Sequence, residues 1–355
     1  MNQKITVAVV GCGTIANFAH FPALSKMEDV RIKYACDLIA ERAQEAVSKY
    51  GVELAVTDYH DVLADEEVDV VYVLTPNYEH YTISMAALQA GKHVFCEKPI
   101  TVNYPLSCQM AETARQQNRL LNIGVCNRYK KTVEKIKELN DTGVLGNIYH
   151  VYCSFRSYRS IPGLGGAFTT KALSGGGVLI DWGVHFLDLI LYVLGGAKIR
   201  TVTADAYNEM AKDMASYKCL GMYAGPAKLD GTNDVEDYIS GYIRTDKAGI
   251  SFNGAWAQSV NKEEMYIDFM GDKAGVRMDY SGDIELFLPE IEGDHFVTQV
   301  PEVEKADMYF DEDRDFINAV KSGTPTRNQI ESVLETAKLL DCLYESSDRK
   351  QEISF

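Results

Sequence analysis

Two short stretches of the sequence carry residue types suited to moving protons and steadying charge on oxygen. In Asp181-Trp182-Gly183-Val184-His185 a histidine follows an aspartate by four residues, and in Glu97-Lys98-Pro99 a lysine precedes proline. Imidazole accepts a proton near neutral pH, an ammonium group stabilises a developing alkoxide, and a carboxylate orients a ring or binds a hydroxyl. If a helix starts near Leu179, Asp181, His185 and Asp188 share one face while Leu187, Ile190, Leu191 and Leu194 point elsewhere. Two readings stand for that face: a buried histidine satisfied by a nearby carboxylate, or a proton-transfer site. The preceding Gly175-Gly176-Gly177 would allow close approach to a ligand, which favours the second.

The elements that must position these residues show in the rhythm of the chain. Through residue 125, β-branched runs at Ile5–Gly11, Arg31–Asp37, Glu53–Thr57, Val68–Thr75, His93–Glu97 and Leu120–Cys126 alternate with helix-like segments. Those segments are Thr14–Met27, Ile39–Tyr50, Tyr78–Ala90 and Leu106–Gln117. This pattern predicts a doubly wound parallel sheet of Rossmann type. Gly11-Cys12-Gly13-Thr14-Ile15-Ala16 places a G-x-G-x-x-A fingerprint between a strand and a helix, the context that binds a dinucleotide pyrophosphate. Asp37, ending the second strand, suits the adenosine ribose hydroxyls and would repel a 2′-phosphate, so NAD is expected; it also reads as a helix cap. Arg42, one turn on, faces either adenine or solvent. Ligands bind outside the carboxyl ends of parallel strands, so Thr75-Pro76-Asn77 with His80, and Glu97 with Lys98, should face the cofactor.

After Arg128 the rhythm changes, and a boundary near 126 fits, giving a domain of residues 1–126 and a second of residues 127–355. The second reads as α+β with a large, mainly antiparallel open sheet: strand-like runs occur at Tyr149–Tyr158, Thr201–Tyr207, Tyr238–Arg244, Gly249–Trp256, Glu264–Met270 and Ile284–Leu288. A charged helix at Thr132–Leu139 opens this half. Closing helices are expected at Asp311–Lys321 and Gln329–Ser346, where the chain can pack back on the first domain. Asn127, Arg128 and Tyr129 at the junction are candidates for contact with nicotinamide or substrate. The segment 156–168, with Tyr158, Arg159 and several glycines, reads either as a mobile substrate loop or as an irregular surface loop.

Composition excludes other classes. With 51 acidic against 35 basic residues in 355, the net charge of −16 disfavours nucleic acid and anionic membrane surfaces. The apolar tract 177–196 contains Asp181, His185 and Asp188, which argues against a membrane span. No signal peptide is expected before Ile5, and eight cysteines without a C-x-x-C pair suggest reduced thiols in the cytoplasm. Seven histidines show no metal-ligand spacing, so no metal is expected.

Together, Gly11-x-Gly13-x-x-Ala16, Thr75-Pro76-Asn77-x-x-His80, Glu97-Lys98-Pro99 and Asp181-x-x-x-His185 occur in an order that resembles the glucose-fructose oxidoreductase/inositol dehydrogenase (Gfo/Idh/MocA) family. The resemblance implies hydride transfer between NAD and a secondary hydroxyl of a sugar, cyclitol or glycoside, C3 of a glucosyl group being one specific case. It implies Lys98, His185 and Asp181 as the catalytic set, a carbohydrate-like substrate against the open sheet, and a homo-oligomer, dimer or tetramer, built through that sheet. Two alternatives remain: a redox-neutral glycoside-cleaving enzyme that uses NAD transiently, and a non-catalytic NAD- or sugar-sensing protein. A sensor needs no proton-transfer set, which Lys98, Asp181 and His185 together supply.

Overall fold

The run Thr6-Val7-Ala8-Val9-Val10 is buried throughout, as a central parallel strand covered on both faces requires. The computed structural model describes residues 4–355, which divide into two units. The first takes the chain as far as Tyr129 and adds Asp307–Ala337; the second comprises Lys130–Ala306 and Lys338–Phe355. The segment Asp307–Ala337 thus joins the unit of the amino-terminal strands, although it follows the second sheet in sequence.

Strands β1 (Ile5–Val10), β2 (Val30–Cys36), β3 (Leu54–Val56), β4 (Val70–Val73), β5 (His93–Glu97) and β6 (Leu121–Gly124) form an all-parallel sheet. Its order is β3-β2-β1-β4-β5-β6, the doubly wound arrangement whose ligand crevice lies between β1 and β4. Side chains alternate across it: Val7, Val9, Val70 and Tyr72 enter one core layer, and Ala8, Val10, Val71 and Val73 the other. The first layer packs on α1 (Phe21–Ser25), α2 (Ala40–Tyr50) and, through Phe316 and Ile317, the helix Met308–Ser322. The second packs on α3 (Tyr59–Leu63), α4 (Asn77–Gln89) and α5 (Tyr104–Gln116). The continuous helix expected over Thr14–Met27 is interrupted by a π turn at Ala16–His20. Such turns cannot be read from a 3.6-residue period, and they gather at functional sites.

In the second unit, α6 (Lys131–Asp141), α7 (Lys171–Ser174) and α8 (Val184–Leu194) accompany a nine-stranded sheet. Its strands are β7 (Ile148–Arg156), β8 (Ile199–Tyr207), β9 (Tyr238–Thr245), β10 (Gly249–Ala255), β11 (Glu264–Gly271), β12 (Gly275–Asp279), β13 (Ile284–Glu292), β14 (His295–Gln299) and β15 (Ile353–Ser354). The order is β14-β13-β12-β11-β7-β10-β9-β8-β15, antiparallel except for the pair β7 and β10. Val151, Cys153 and Phe155 of β7 point into one core with Phe186, Leu187 and Ile190 of α8. The stretch Lys171–Leu194 is long and apolar enough to cross a membrane by composition, yet 72% of its apolar 18-residue window is buried within the protein.

Candidate active site

At the end of β1 the chain turns at Gly11, where φ is +98° and a Cβ would stand 2.5 Å from the Leu74 carbonyl oxygen. Only glycine fits there. Its N–H donates to the Cys36 carbonyl at 2.8 Å, which ties the turn to the end of β2. A Cβ on Gly13 would meet nothing within 4 Å, so this side of the turn is open. Asn17 secures the turn, its Nδ2 donating to the Cys12 and Gly13 carbonyls at 2.9 and 3.0 Å. Thr14 and Ile15 begin the helix, whose first N–H groups lack intrahelical partners and suit a pyrophosphate. Burial, aided by Asp37, pushes the Cys12 thiol up to about 12, so it stays protonated.

Asp37 does not cap α2, which begins at Ala40. Its Oδ2 accepts the Cys12 N–H at 2.8 Å and its Oδ1 accepts the Ile39 N–H at 2.9 Å, fastening β2 to the glycine turn. The remaining acceptor positions of this half-exposed carboxylate suit ribose hydroxyls, and exposed Leu38 and Ile39 beside it offer an apolar ledge to a base. The tight turn, the open Gly13 side, the helix start and Asp37 together fit NAD.

Beyond β4, Pro76 stands at the cap of α4 and Asn77 opens that helix. His80 is buried, with Nδ1 2.7 Å from the Pro99 carbonyl and Nε2 2.9 Å from the Thr75 carbonyl. Its ring therefore joins the loop after β4 to the loop after β5, where the sequence suggested a direct cofactor ligand. Burial lowers its pKa and favours the neutral ring.

Lys98 follows β5 and is half-buried. Its N–H donates to Glu97 Oε2 at 2.9 Å, and Glu97 Oε1 lies 3.1 Å from His20 Nε2. The other nitrogen of His20 lies 3.0 and 3.2 Å from the two oxygens of Asp313, on the helix Met308–Ser322. Burial alone would lower the pKa of His20; the charge and hydrogen bond of Asp313, with those of Glu97, outweigh it and raise it from 6.5 to about 10. A buried imidazolium thus clamps the residue before Lys98, ringed by Tyr72 and Phe95. Glu97, expected to meet the cofactor, directs its carboxylate into this network.

Arg128 and Asn127 are buried in the turn Cys126–Tyr129. Arg128 was a substrate candidate, but its guanidinium donates to the Arg327 carbonyl at 3.0 Å, the Ser332 hydroxyl at 2.8 Å and the Ser332 carbonyl at 2.9 Å. It secures the returning C-terminal segment within the first unit.

In the second unit Asp181 lies in a π turn, Leu179–Gly183, that leads into α8, and His185 lies in the first turn of α8. Both are half-buried, whereas Asp188 is buried. The indole N–H of buried Trp256, just past β10, donates to Asp181 Oδ2 at 3.2 Å. The glycines before this turn admit protein rather than ligand: a Cβ on Gly176 would stand 2.0 Å from the Tyr344 hydroxyl, and one on Gly177 1.9 Å from the Glu236 carbonyl.

The segment 156–168 is likewise held in place. Gly163 N–H donates to the Tyr223 carbonyl at 2.7 Å, and the Leu164 carbonyl accepts the Lys228 N–H at 2.8 Å. Gly165, with φ +79°, leaves room for the Lys228 carbonyl, which a Cβ would meet at 1.9 Å. These glycines serve packing against the 208–237 connection rather than mobility. Arg159 donates to the Gln258 carbonyl at 2.9 Å, and its guanidinium lies over Tyr158 at 4.8 Å and Tyr217 at 5.9 Å. Tyr158 and Arg159 keep partly exposed surface.

A β1-β4 crevice with this fingerprint and an aspartate at the end of β2 is the arrangement of an NAD-binding Rossmann domain. Residues 5–125 match the family model for an oxidoreductase family with an NAD-binding Rossmann fold, and residues 133–277 match the GFO/IDH/MocA C-terminal domain. The chain is 32% identical over 281 residues to D-glucoside 3-dehydrogenase of Escherichia coli strain K12, covering 78% of each. It is 24% identical over 325 residues to myo-inositol 2-dehydrogenase of Thermotoga maritima, covering 90% of this chain and 89% of that one. A solved levoglucosan dehydrogenase, in complex with NADH and levoglucosan, superimposes with a TM-score of 0.87 at 21% identity over 99% of both chains and shares the fold. The chain belongs to the GFO/IDH/MocA oxidoreductase family.

Proposed function

We propose that this chain oxidises a secondary hydroxyl of a sugar, cyclitol or glycoside, with C3 of a glucosyl group the first candidate. The observation that carries this reading is the helix start bearing Asp181 and His185, with Asp181 locked by Trp256, in a chain similar over most of its length to a glucoside 3-dehydrogenase. NAD, when bound, supplies the hydride acceptor; Gly11, Gly13, Thr14, Ile15 and Asp37 would hold it. His185 takes the proton of the substrate hydroxyl as general base. Lys98 holds the reacting oxygen and steadies the negative charge that develops as the proton leaves. Asp181 orients the imidazole or binds a neighbouring hydroxyl. Tyr158 and Arg159 are proposed sugar contacts, because planar aromatic and guanidinium faces suit the apolar and hydroxyl sides of a pyranose.

The eight cysteines form no disulfide, and six are buried, which fits a reducing cytoplasm. The outer face of the nine-stranded sheet carries Tyr152, Tyr266 and an Arg277–Asp268 pair at 2.6 Å, a surface suited to a second copy of the chain. Size-exclusion chromatography with light scattering reads that state directly, and a monomer refutes it. The activity is tested by NADH absorbance with NAD and a panel of glucosides, free sugars and inositols, with chromatography of the same mixtures. NADH formation with one class of compound is expected. Product without net NADH would replace this reading with a redox-neutral reaction.

A further inference from the structure

A helix start leaves N–H groups without intrahelical acceptors, and Val178, at the cap of the π turn before α8, has no side chain to meet them. A distant residue does so. Glu236 is buried, and its Oε2 accepts the Gly177 N–H while its Oε1 accepts the Leu179 N–H, both at 2.9 Å. Its backbone carbonyl accepts the Val178 N–H at 3.2 Å. Tyr344 completes the set, its hydroxyl donating to Oε1 at 2.9 Å. Three consecutive N–H groups therefore converge on one residue 57 to 59 positions away. The absence of side chains at Gly176 and Gly177 makes that approach possible.

The next residue, Asp237, faces the other way: its Oδ2 accepts the N–H groups of Glu209 and Met210 at 3.0 and 2.6 Å. Its carbonyl accepts the Trp256 N–H at 2.9 Å, and the Trp256 indole holds Asp181. Asp181 is thus fixed from two directions that meet at residues 236 and 237.

We infer that Glu236, buttressed by Tyr344, is a positioning residue for the redox step, fixing the turn that aims Asp181 and His185. This rests on the reaction proposed above, in which those two side chains act on the substrate. A carboxylate suits the place because it offers acceptors to both N–H groups and to the phenol at once, with the negative charge at the positive end of the helix. Gln would present an N–H₂ group to one of the two amides.

The chain supplies its own reporter. Its two tryptophans are Trp182, inside the π turn, and Trp256, bonded to Asp181, so tryptophan emission reads the turn without any substrate. Glu236→Gln and Tyr344→Phe are compared with the wild type in the full-length protein. For Glu236→Gln we expect kcat to fall roughly 10- to 100-fold with KM within roughly threefold, as for a misaimed catalytic group. We expect a shifted tryptophan emission and unchanged NADH affinity. Tyr344→Phe should shift emission the same way and lower kcat by roughly 3- to 10-fold; it carries the test if Glu236→Gln does not fold. Wild-type kcat and emission in the folded variants overturn the inference. So does a lowered Tm with both unchanged, which assigns the cap to stability alone. If the wild type turns over no compound, the reaction reading fails by itself while the emission still decides whether Glu236 sets the turn.

Discussion

The supports beneath Lys98 and beneath Asp181 and His185 solve the same problem with different chemistry. In the first unit an imidazolium, His20, is held between Asp313 and Glu97, 293 and 77 residues away, with all three buried. In the second, backbone amides converge on Glu236 and an indole on Asp181, without a buried cation among them. An ionic clamp fixes its loop only while its proton is present, whereas a backbone cap depends on the shape of a turn. The two halves should therefore respond differently to pH and to substitution.

The largest effects should come from the groups proposed to meet the substrate. Lys98→Ala and His185→Ala are each expected to lower turnover by roughly 10²- to 10⁴-fold with NAD binding retained, which stopped-flow kinetics and NADH fluorescence titration would read. Near-wild-type rates in either variant would remove that residue from the mechanism. Gly11→Ala should come next. Its φ of +98° and the 2.5 Å approach to the Leu74 carbonyl force the turn to shift, so NAD affinity should fall more than roughly tenfold, with a loss of about 1–3 kcal/mol in stability.

His20→Gln breaks the clamp and leaves two buried carboxylates without their cation, a loss of about 3–5 kcal/mol by denaturant unfolding. Because the pKa of His20 is raised from 6.5 to about 10, its contribution is complete below pH 6.5 and fades as pH rises through about 10. The gap between wild type and His20→Gln should accordingly be wide at neutral pH and narrow above pH 10, as thermal scans would show; a gap constant over that range would mean the ring is neutral. Trp256→Phe keeps an aromatic ring in the core but removes the 3.2 Å bond to Asp181, so a fall in kcat of roughly tenfold with intact NADH affinity is expected. The smallest effect belongs to Arg128→Lys, which should lower Tm with little change in kcat, because its guanidinium serves the C-terminal segment.

Much of the first unit was legible because its signals are local. The six strands lie within a few residues of the apolar runs, and the glycine turn and Asp37 stand where strand-turn-helix spacing puts them. The second sheet was legible in part: β12 alternates in burial over only five residues next to a turn, β14 is largely exposed and β15 has two residues, so the signal weakens toward the edges of the sheet. The supports were not legible, since the partners of His20 and Glu236 are set by tertiary packing across dozens to hundreds of residues. For the same reason Gly175–Gly177 suggested space for a ligand, when Gly176 and Gly177 make space for Tyr344 and Glu236.

Hydride transfer itself can be followed with a glucoside deuterated at C3, incubated with the protein and NAD, with the recovered nucleotide examined by mass spectrometry and NMR. The account predicts one deuterium on the nicotinamide ring and a ketone at C3 of the sugar. Deuterium released to water, or retained on an unoxidised sugar while other compounds reduce NAD, would contradict C3 of a glucosyl group as the reacting carbon.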